Sequence, residues 1–92
     1  MLLTTGSIDQ SHDILGIVNA TSHLMLDSET IDAFESMDQL FSDVEEKMKQ
    51  KAEEKQADGI INISFNTQVV QLQVAPKFLV ITGYGTLVKF TE

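Results

Sequence analysis

Apolar residues recur at steps of three and four between Phe34 and Ala52. Phe34, Met37, Phe41, Val44, Met48 and Ala52 therefore share one stripe of a 3.6-residue helix. The remaining faces carry Asp38, Asp43, Glu45, Glu46, Lys47, Lys49, Lys51, Glu53, Glu54 and Lys55. Acids gather toward the start and lysines toward the end, the order a helix dipole favours. Asp43 with Lys47 and Glu45 with Lys49 are acid-before-lysine pairs four apart, each adding a few tenths of a kcal/mol at most. Ser36, Met37, Asp38 and Gln39 have the form of a capping box, which starts the helix at Ser36 and runs it to Gln56. Ser28 could also cap, but that helix would be about 42–45 Å long at 1.5 Å per residue. The strand after it spans only about 20–24 Å. A break near Glu35 fits better, with Ile31 and Phe34 tucked onto the core. The hinge Ala57, Asp58 and Gly59 follows, and Gly59 ends the helix in a left-handed conformation.

After the hinge the period changes to two. Ile61, Ile63 and Phe65 alternate with Asn62 and Ser64, and Val70, Leu72 and Val74 alternate with Gln71 and Gln73. This pattern predicts two half-buried strands. Folded as a hairpin around Thr67 and Gln68, with a four-residue loop from Asn66 to Val69 because Thr-Gln makes a poor two-residue turn, they set Phe65 against Val70, Ile63 against Leu72 and Ile61 against Val74. Ser64 then meets Gln71, and Asn62 meets Gln73, on the other face. Ala75, Pro76 and Lys77 form a break. Phe78 to Phe90 is the last strand, with Val80, Ile81, Leu87 and Val88 as its apolar positions. Gly83, Tyr84 and Gly85 interrupt it, as a bulge, a bend or a place where another chain packs closely. Ahead of the helix, Met1 to Thr5 is a short edge or interface strand. Gly6 to His12 is loop. Asp13 to Leu26 is a longer extended segment, unless Asn19 to Ser22 turn and split it. Gly16 inside it suggests a bulge or close backbone approach.

The expected fold class is thus α+β: a mainly antiparallel sheet with one long helix on one face. The order is β, β, α, β, β with a further β at the end. The face away from the helix would carry Asn62, Ser64, Gln71 and Gln73, with Thr82 and Thr86 as neighbours. Uncharged amides and hydroxyls suit a partly hydrated interior, such as the lining of a ring or barrel built from several subunits. An ordinary wet sheet face is the plainer reading.

Composition narrows the function. Ninety-two residues allow one domain, 1–92, and one modest core. No cysteine occurs, so thiolate metal sites, cysteine nucleophiles and disulfides are excluded. Net charge is −8, with six lysines and no arginine, which makes nucleic acid and anionic membranes poor partners. The opening residues lack a basic region followed by a long apolar run, so no secretory signal is expected, and the cytoplasm is the default compartment.

Four segments, in order, resemble the YbjQ-like family of small proteins. Leu3, Thr4 and Thr5 look like its opening strand, and Leu15, Gly16, Ile17 and Val18 like its LGIV segment. Ala57 to Phe65 resembles its helix-to-strand passage. Gly85, Thr86, Leu87 and Val88 look like its closing GTAV. The resemblance implies a dodecin-like α+β subunit that assembles into homopentameric rings with an intersubunit barrel. It also implies a label of heavy-metal binding with no established reaction. The chain departs from the pattern before the main helix, where the family's glycine-rich insertion is missing. The glycine commonly following LGIV is also absent, and Gly59 stands where alanine is usual. A family ligand site near that insertion is not carried over.

Candidate chemistry is sparse. His12 lies among Asp9 and Asp13, and His23 lies near Asp27. Each is a candidate ligand for a divalent or heavy-metal ion, although no H-x₃-H spacing or carboxylate cluster demands it, and an ordinary surface histidine is the bland alternative. Lack of cysteine argues against soft metals. Met37 and Met48 sit on the apolar stripe and read as packing. Gly83 to Gly85 lack the helix and lysine of a phosphate loop. Tyr84 reads as packing rather than as a stacking surface. Glu45 with Glu46 and Glu53 with Glu54 are surface pairs. No nucleophile elbow or general base has a recognisable setting, so an enzyme is a reserve reading only. The expected function is a homo-oligomer binding an ion or small ligand between subunits. The alternative is a protein–protein interaction module using the acidic helix or the Met1 to Thr5 edge.

Overall fold

Five elements follow one another: β1 (Leu2–Leu3), β2 (His12–Leu26), α1 (Ala33–Glu54), β3 (Gly59–Gln71) and β4 (Lys77–Phe90). The structure, a computed structural model, describes residues 1–26, 33–71 and 77–91. The sheet order is β1-β3-β4-β2, with β1 parallel to β3 and the other pairs antiparallel. This is an α+β fold with a single helix. Ser28, Ile31, Leu72, Gln73, Val74, Ala75 and Pro76, all invoked above, lie outside the described residues.

The helix starts at Ala33, so Ser36 sits inside the first turn and the capping-box start is wrong. The reason is the length of what it covers. β2 has 15 residues, about 50 Å of strand, so a 22-residue helix of about 33 Å finds sheet beneath it throughout. Val44, Met48 and Ala52 are buried as their stripe requires, and Met37 and Phe41 pack beside them. Leu40, absent from the predicted stripe, is buried as well, three residues after Met37 and four before Val44.

The helix also ends differently. Its last residue is Glu54, and the left-handed position is Gln56, with φ 59°, rather than Gly59. Ala57 N donates to Ala52 O at 3.0 Å and Gln56 N to Glu53 O at 3.0 Å. These two bonds make a Schellman motif, and Ala52 and Ala57 supply its buried apolar contact. Gly59 instead opens β3 opposite Leu2, where a Cβ would lie 3.0 Å from the Leu2 carbonyl oxygen.

The largest departure is in β3. The expected hairpin at Thr67 and Gln68 does not form; the strand runs straight through them and pairs with β4, Thr67 opposite Ile81 and Gln68 opposite Val80. Phe65 therefore meets Gly83 rather than Val70. The sheet has four strands and not five. β4 is continuous through Gly83 to Gly85, and the bulge lies across from it, between Ile61 and Ser64, where Asn62 takes φ 53°. A bulge adds one residue and so reverses which parity faces the core. Ile60, opposite Leu87, joins the core before it, while Ile63 and Phe65 do so after it. Ile61 is buried but pairs with Thr86 on the far face. The second bulge, between Ile14 and Gly16, falls where the glycine suggested one, with Gly16 at φ 146°.

Gly83 lets the helix come close and Gly85 makes room for β3. A Cβ on Gly83 would stand 2.7 Å from Val44 Cγ1 and 2.9 Å from Met48 Sδ; one on Gly85 would stand 2.7 Å from Ile60 Cγ2. The close approach at these glycines is thus made by the chain's own helix and its own strand β3. The core lies between α1 and the face carrying Val18, Ala20, Leu79, Ile81 and Leu87. The helix packs mainly on β2 and β4 and only marginally on β3. The resulting molecule is long, 53 × 23 × 19 Å, with a radius of gyration of 15.7 Å. A compact domain of this length would have about 12 Å.

Candidate functional site

Opposite residues in an antiparallel pair put their side chains on one face, so the pairing fixes what lies on the side away from the helix. β2 contributes Ile14, Ile17, Asn19, Thr21 and His23 to that side, β4 contributes Thr82, Tyr84 and Thr86, and β3 contributes Ser64, Asn66 and Gln68. Thr21 and Thr82 confirm the register, their hydroxyl oxygens lying 3.2 Å apart. Among the residues just named none is charged, and Asn19, Thr21, Ser64, Asn66 and Gln68 are exposed. The lysines and glutamates of the chain crowd the helix instead.

Of the expected face residues, Ser64, Thr82 and Thr86 stand where the alternation puts them. Asn62 is exposed but occupies the bulge, where its backbone N donates to Gly6 O at 2.9 Å. Gln71 pairs with Lys77 on β4 rather than with Ser64 across a hairpin. Gln73 lies outside the described residues. Asn66 and Gln68 were hidden by the supposed turn, although Ser64, Asn66 and Gln68 continue the polar alternation. Asn19 and Thr21 were hidden by the option of splitting β2.

The face is apolar at one margin. β2 is an edge strand, and Ile17 is 83% exposed and Ile14 70% exposed, with Leu15 and Tyr84 also open. On the opposite side of the sheet β1 pairs with Gly59 and Ile60, and among the described residues no strand pairs with β3 beyond the bulge on that side. Two unlike strand edges are thus available for pairing.

The histidines do not meet. His12 is half-buried, and its Nδ1–H donates to the Gln10 carbonyl at 2.7 Å. His23 is exposed and lies edge-on to Phe78, ring centroids 6.0 Å apart. Eleven strand residues separate them, about 36 Å. Among the described residues no three His, Cys, Asp or Glu side chains come together. Met48 is sealed in the core. The described residues of one chain therefore bring together no set that fits a heavy-metal ion, and Asp27, named beside His23, lies outside them. Of the acid–lysine pairs expected on the helix, Asp43 with Lys47 is redirected: Lys47 Nζ donates to Thr21 O and Asp43 accepts from Gln39 Nε2, while Lys51 Nζ donates to Asn19 O. No helix among the described residues is long and apolar enough to cross a membrane.

Comparison with known proteins gives a consistent picture. A family model named YbjQ and described as "putative heavy-metal-binding" matches residues 1–91. A crystal structure of a DUF74-family protein of unknown function from Pediococcus pentosaceus is 46% identical in sequence. The match covers 99% of this chain and 98% of that one, with a TM-score of 0.89. No curated protein matches.

Proposed function

We propose that this chain, which belongs to the YbjQ family, works as a homo-oligomeric ring, a pentamer, that binds a metal ion or small ligand where its copies meet. The observation that carries this reading is the edge strand β2, which has no strand neighbour beyond it among the described residues and on which Ile14 and Ile17 are 70% and 83% exposed. A long edge strand with exposed β-branched residues is a template for pairing. Surface area points the same way. The chain exposes 6334 Å², whereas a monomer of 10.2 kDa would expose about 5,300 Å². The excess, about 1,000 Å², is close to one partner's share of a standard interface.

The two free edges differ, so pairing β2 of one copy with the open edge of β3 in the next is a head-to-tail contact. Such contacts close into rings when the rotation per subunit permits. Five is the number that the family resemblance implies. The uncharged far face would then look inward, where amides and hydroxyls hold water or a small polar ligand. The described residues of one chain bring no three such ligands together, so the site we propose draws side chains from more than one copy. His23 is the candidate donor, since it lies exposed on that same face. We assign the protein no reaction.

Native mass spectrometry of the purified protein tests the reading, because it reports subunit number and retained ligands together. A ring retaining its stoichiometry at micromolar concentration is the expected result. A stable species at the 10.2 kDa of one chain would overturn it. The alternative, a module for a different protein, draws on Lys47 and Lys51, whose ammonium groups occupy two β2 carbonyls. A monomer that co-purifies with one stoichiometric partner would favour it.

A further inference from the structure

Because α1 sits over β2 and β4, the helix side of β3 is left partly bare next to β1. A cavity of about 380 Å³ opens there, lined by Leu3, Thr4, Thr5, Glu45, Ile63 and Phe65. Its volume lies within the range of small-ligand sites. The floor is preformed. Ile63 belongs to the core, with Leu3 and Phe65 packed against it, and Phe41 holds the Phe65 ring edge-on, centroids 5.1 Å apart at 83°. The polar wall is fixed as well. Thr4 N donates to Ile60 O at 3.0 Å, Thr4 O accepts from Ile63 N at 3.1 Å, and Thr4 Oγ1 accepts from Gly6 N at 3.1 Å.

Glu45 is the one charged residue of this lining. It is exposed, and among the described residues the one ion pair is Lys89 with Asp58, elsewhere in the fold. Lys47 and Lys51 are committed to β2 carbonyls. The cavity thus combines an apolar floor, hydroxyl oxygens able to accept hydrogen bonds and a carboxylate, in a chain of net charge −8. That set is complementary to an apolar body with a cationic head and hostile to anions.

We infer that this cavity binds a small amphipathic amine. The flat apolar part lies on Leu3, Ile63 and Phe65, the ammonium lies against the Glu45 carboxylate, and a threonine hydroxyl accepts one of its N–H groups. The site is built from one chain and does not depend on the ring. A monomer would overturn the previous reading and leave this one standing.

Tryptamine is a suitable probe: it has about a dozen non-hydrogen atoms, in keeping with the volume. The protein has no tryptophan, so indole emission reports the ligand alone. Fluorescence anisotropy of tryptamine, titrated with the full chain, should saturate at one ligand per chain. Glu45→Gln should weaken binding at least fivefold, and Glu46→Gln should leave it unchanged. Indole-3-propionate, with the same ring and an anionic tail, should bind at least tenfold more weakly. Circular dichroism verifies that both variants fold. Absence of saturation, equal binding by Glu45→Gln, or equal binding of the anionic analogue would overturn the assignment.

Discussion

The ammonium of Lys51 rests on the backbone carbonyl of Asn19, 2.7 Å away. One turn earlier Lys47 does the same to Thr21 at 2.9 Å. Four helix residues advance about 6 Å and two strand residues about 6.6 Å, so the two ladders stay in step. Both acceptors lie on the edge strand β2. Lysines at an edge are a known means of discouraging stray pairing, and here the helix lays its own over the rim.

If copies join through this rim, the lysines must first release it. Replacing both, Lys47→Met with Lys51→Met, should leave the circular dichroism spectrum unchanged and the melting temperature within a few degrees, since exposed contacts of this kind contribute little. Sedimentation equilibrium should show self-association strengthened at least threefold. Unchanged association would mean that β2 is not where copies meet.

A methyl group at Gly83 has nowhere to go, with Val44 Cγ1 2.7 Å and Met48 Sδ 2.9 Å from its Cβ position. Gly83→Ala should cost about 1–3 kcal/mol by overpacking. Adding Val44→Ala should recover part of that loss, a coupling of about 0.5–3 kcal/mol measurable by urea denaturation of the four-member cycle. Additive losses would place the strain elsewhere.

Gln56 and Asn62 both hold left-handed backbone, at φ 59° and 53°. Gln56→Gly should stabilise by about 0.5–1 kcal/mol, as removal of the Cβ clash outweighs the added freedom of the unfolded chain. Asn62→Gly should gain less, because asparagine tolerates this region better than glutamine does. Asn62→Val should cost about 1–2 kcal/mol. Thermal melts rank the three variants.

Asp58 ties the hinge to the last strand. Its Oδ2 accepts from Phe90 N at 2.8 Å, while its Lys89 partner stands at 4.0 Å with half its side chain exposed. Asp58→Ala should therefore cost about 1–2 kcal/mol, the value of a charge-assisted bond to backbone. Lys89→Met should cost no more than about 0.5 kcal/mol. Equal effects in urea denaturation would make the ion pair, and not the backbone bond, the important contact.

The helix and the strand identities were readable in the sequence because periods of 3.6 and 2 are set by local backbone geometry. Val44, Met48 and Ile63 are buried, and Phe65 half-buried, for that reason. What lay beyond reach depends on partners far along the chain. Thr67 and Gln68 read as the centre of a turn because apolar alternation resumes on either side of them, and only Ile81 and Val80 across the ladder show that they continue a strand. The bulge at Asn62 was hidden because Ile60 and Ile61 are equally apolar, so the change of face left no mark in the pattern. The neutral far face was half legible: Ser64 was placed by alternation, whereas the pairing of Ser64 with Gln71 fell with the hairpin. The cavity beside Glu45 was illegible, since it arises from the helix lying off-centre.

A helix of about 33 Å is shorter than the roughly 50 Å of strand in β2, so among the described residues part of the sheet has no helix over it. In a lone chain, that stretch is where water and proteases gain first access to the backbone. If copies assemble as we propose, survival time in dilute extract would be governed by how often a chain finds its neighbours, more than by how well its own core is packed.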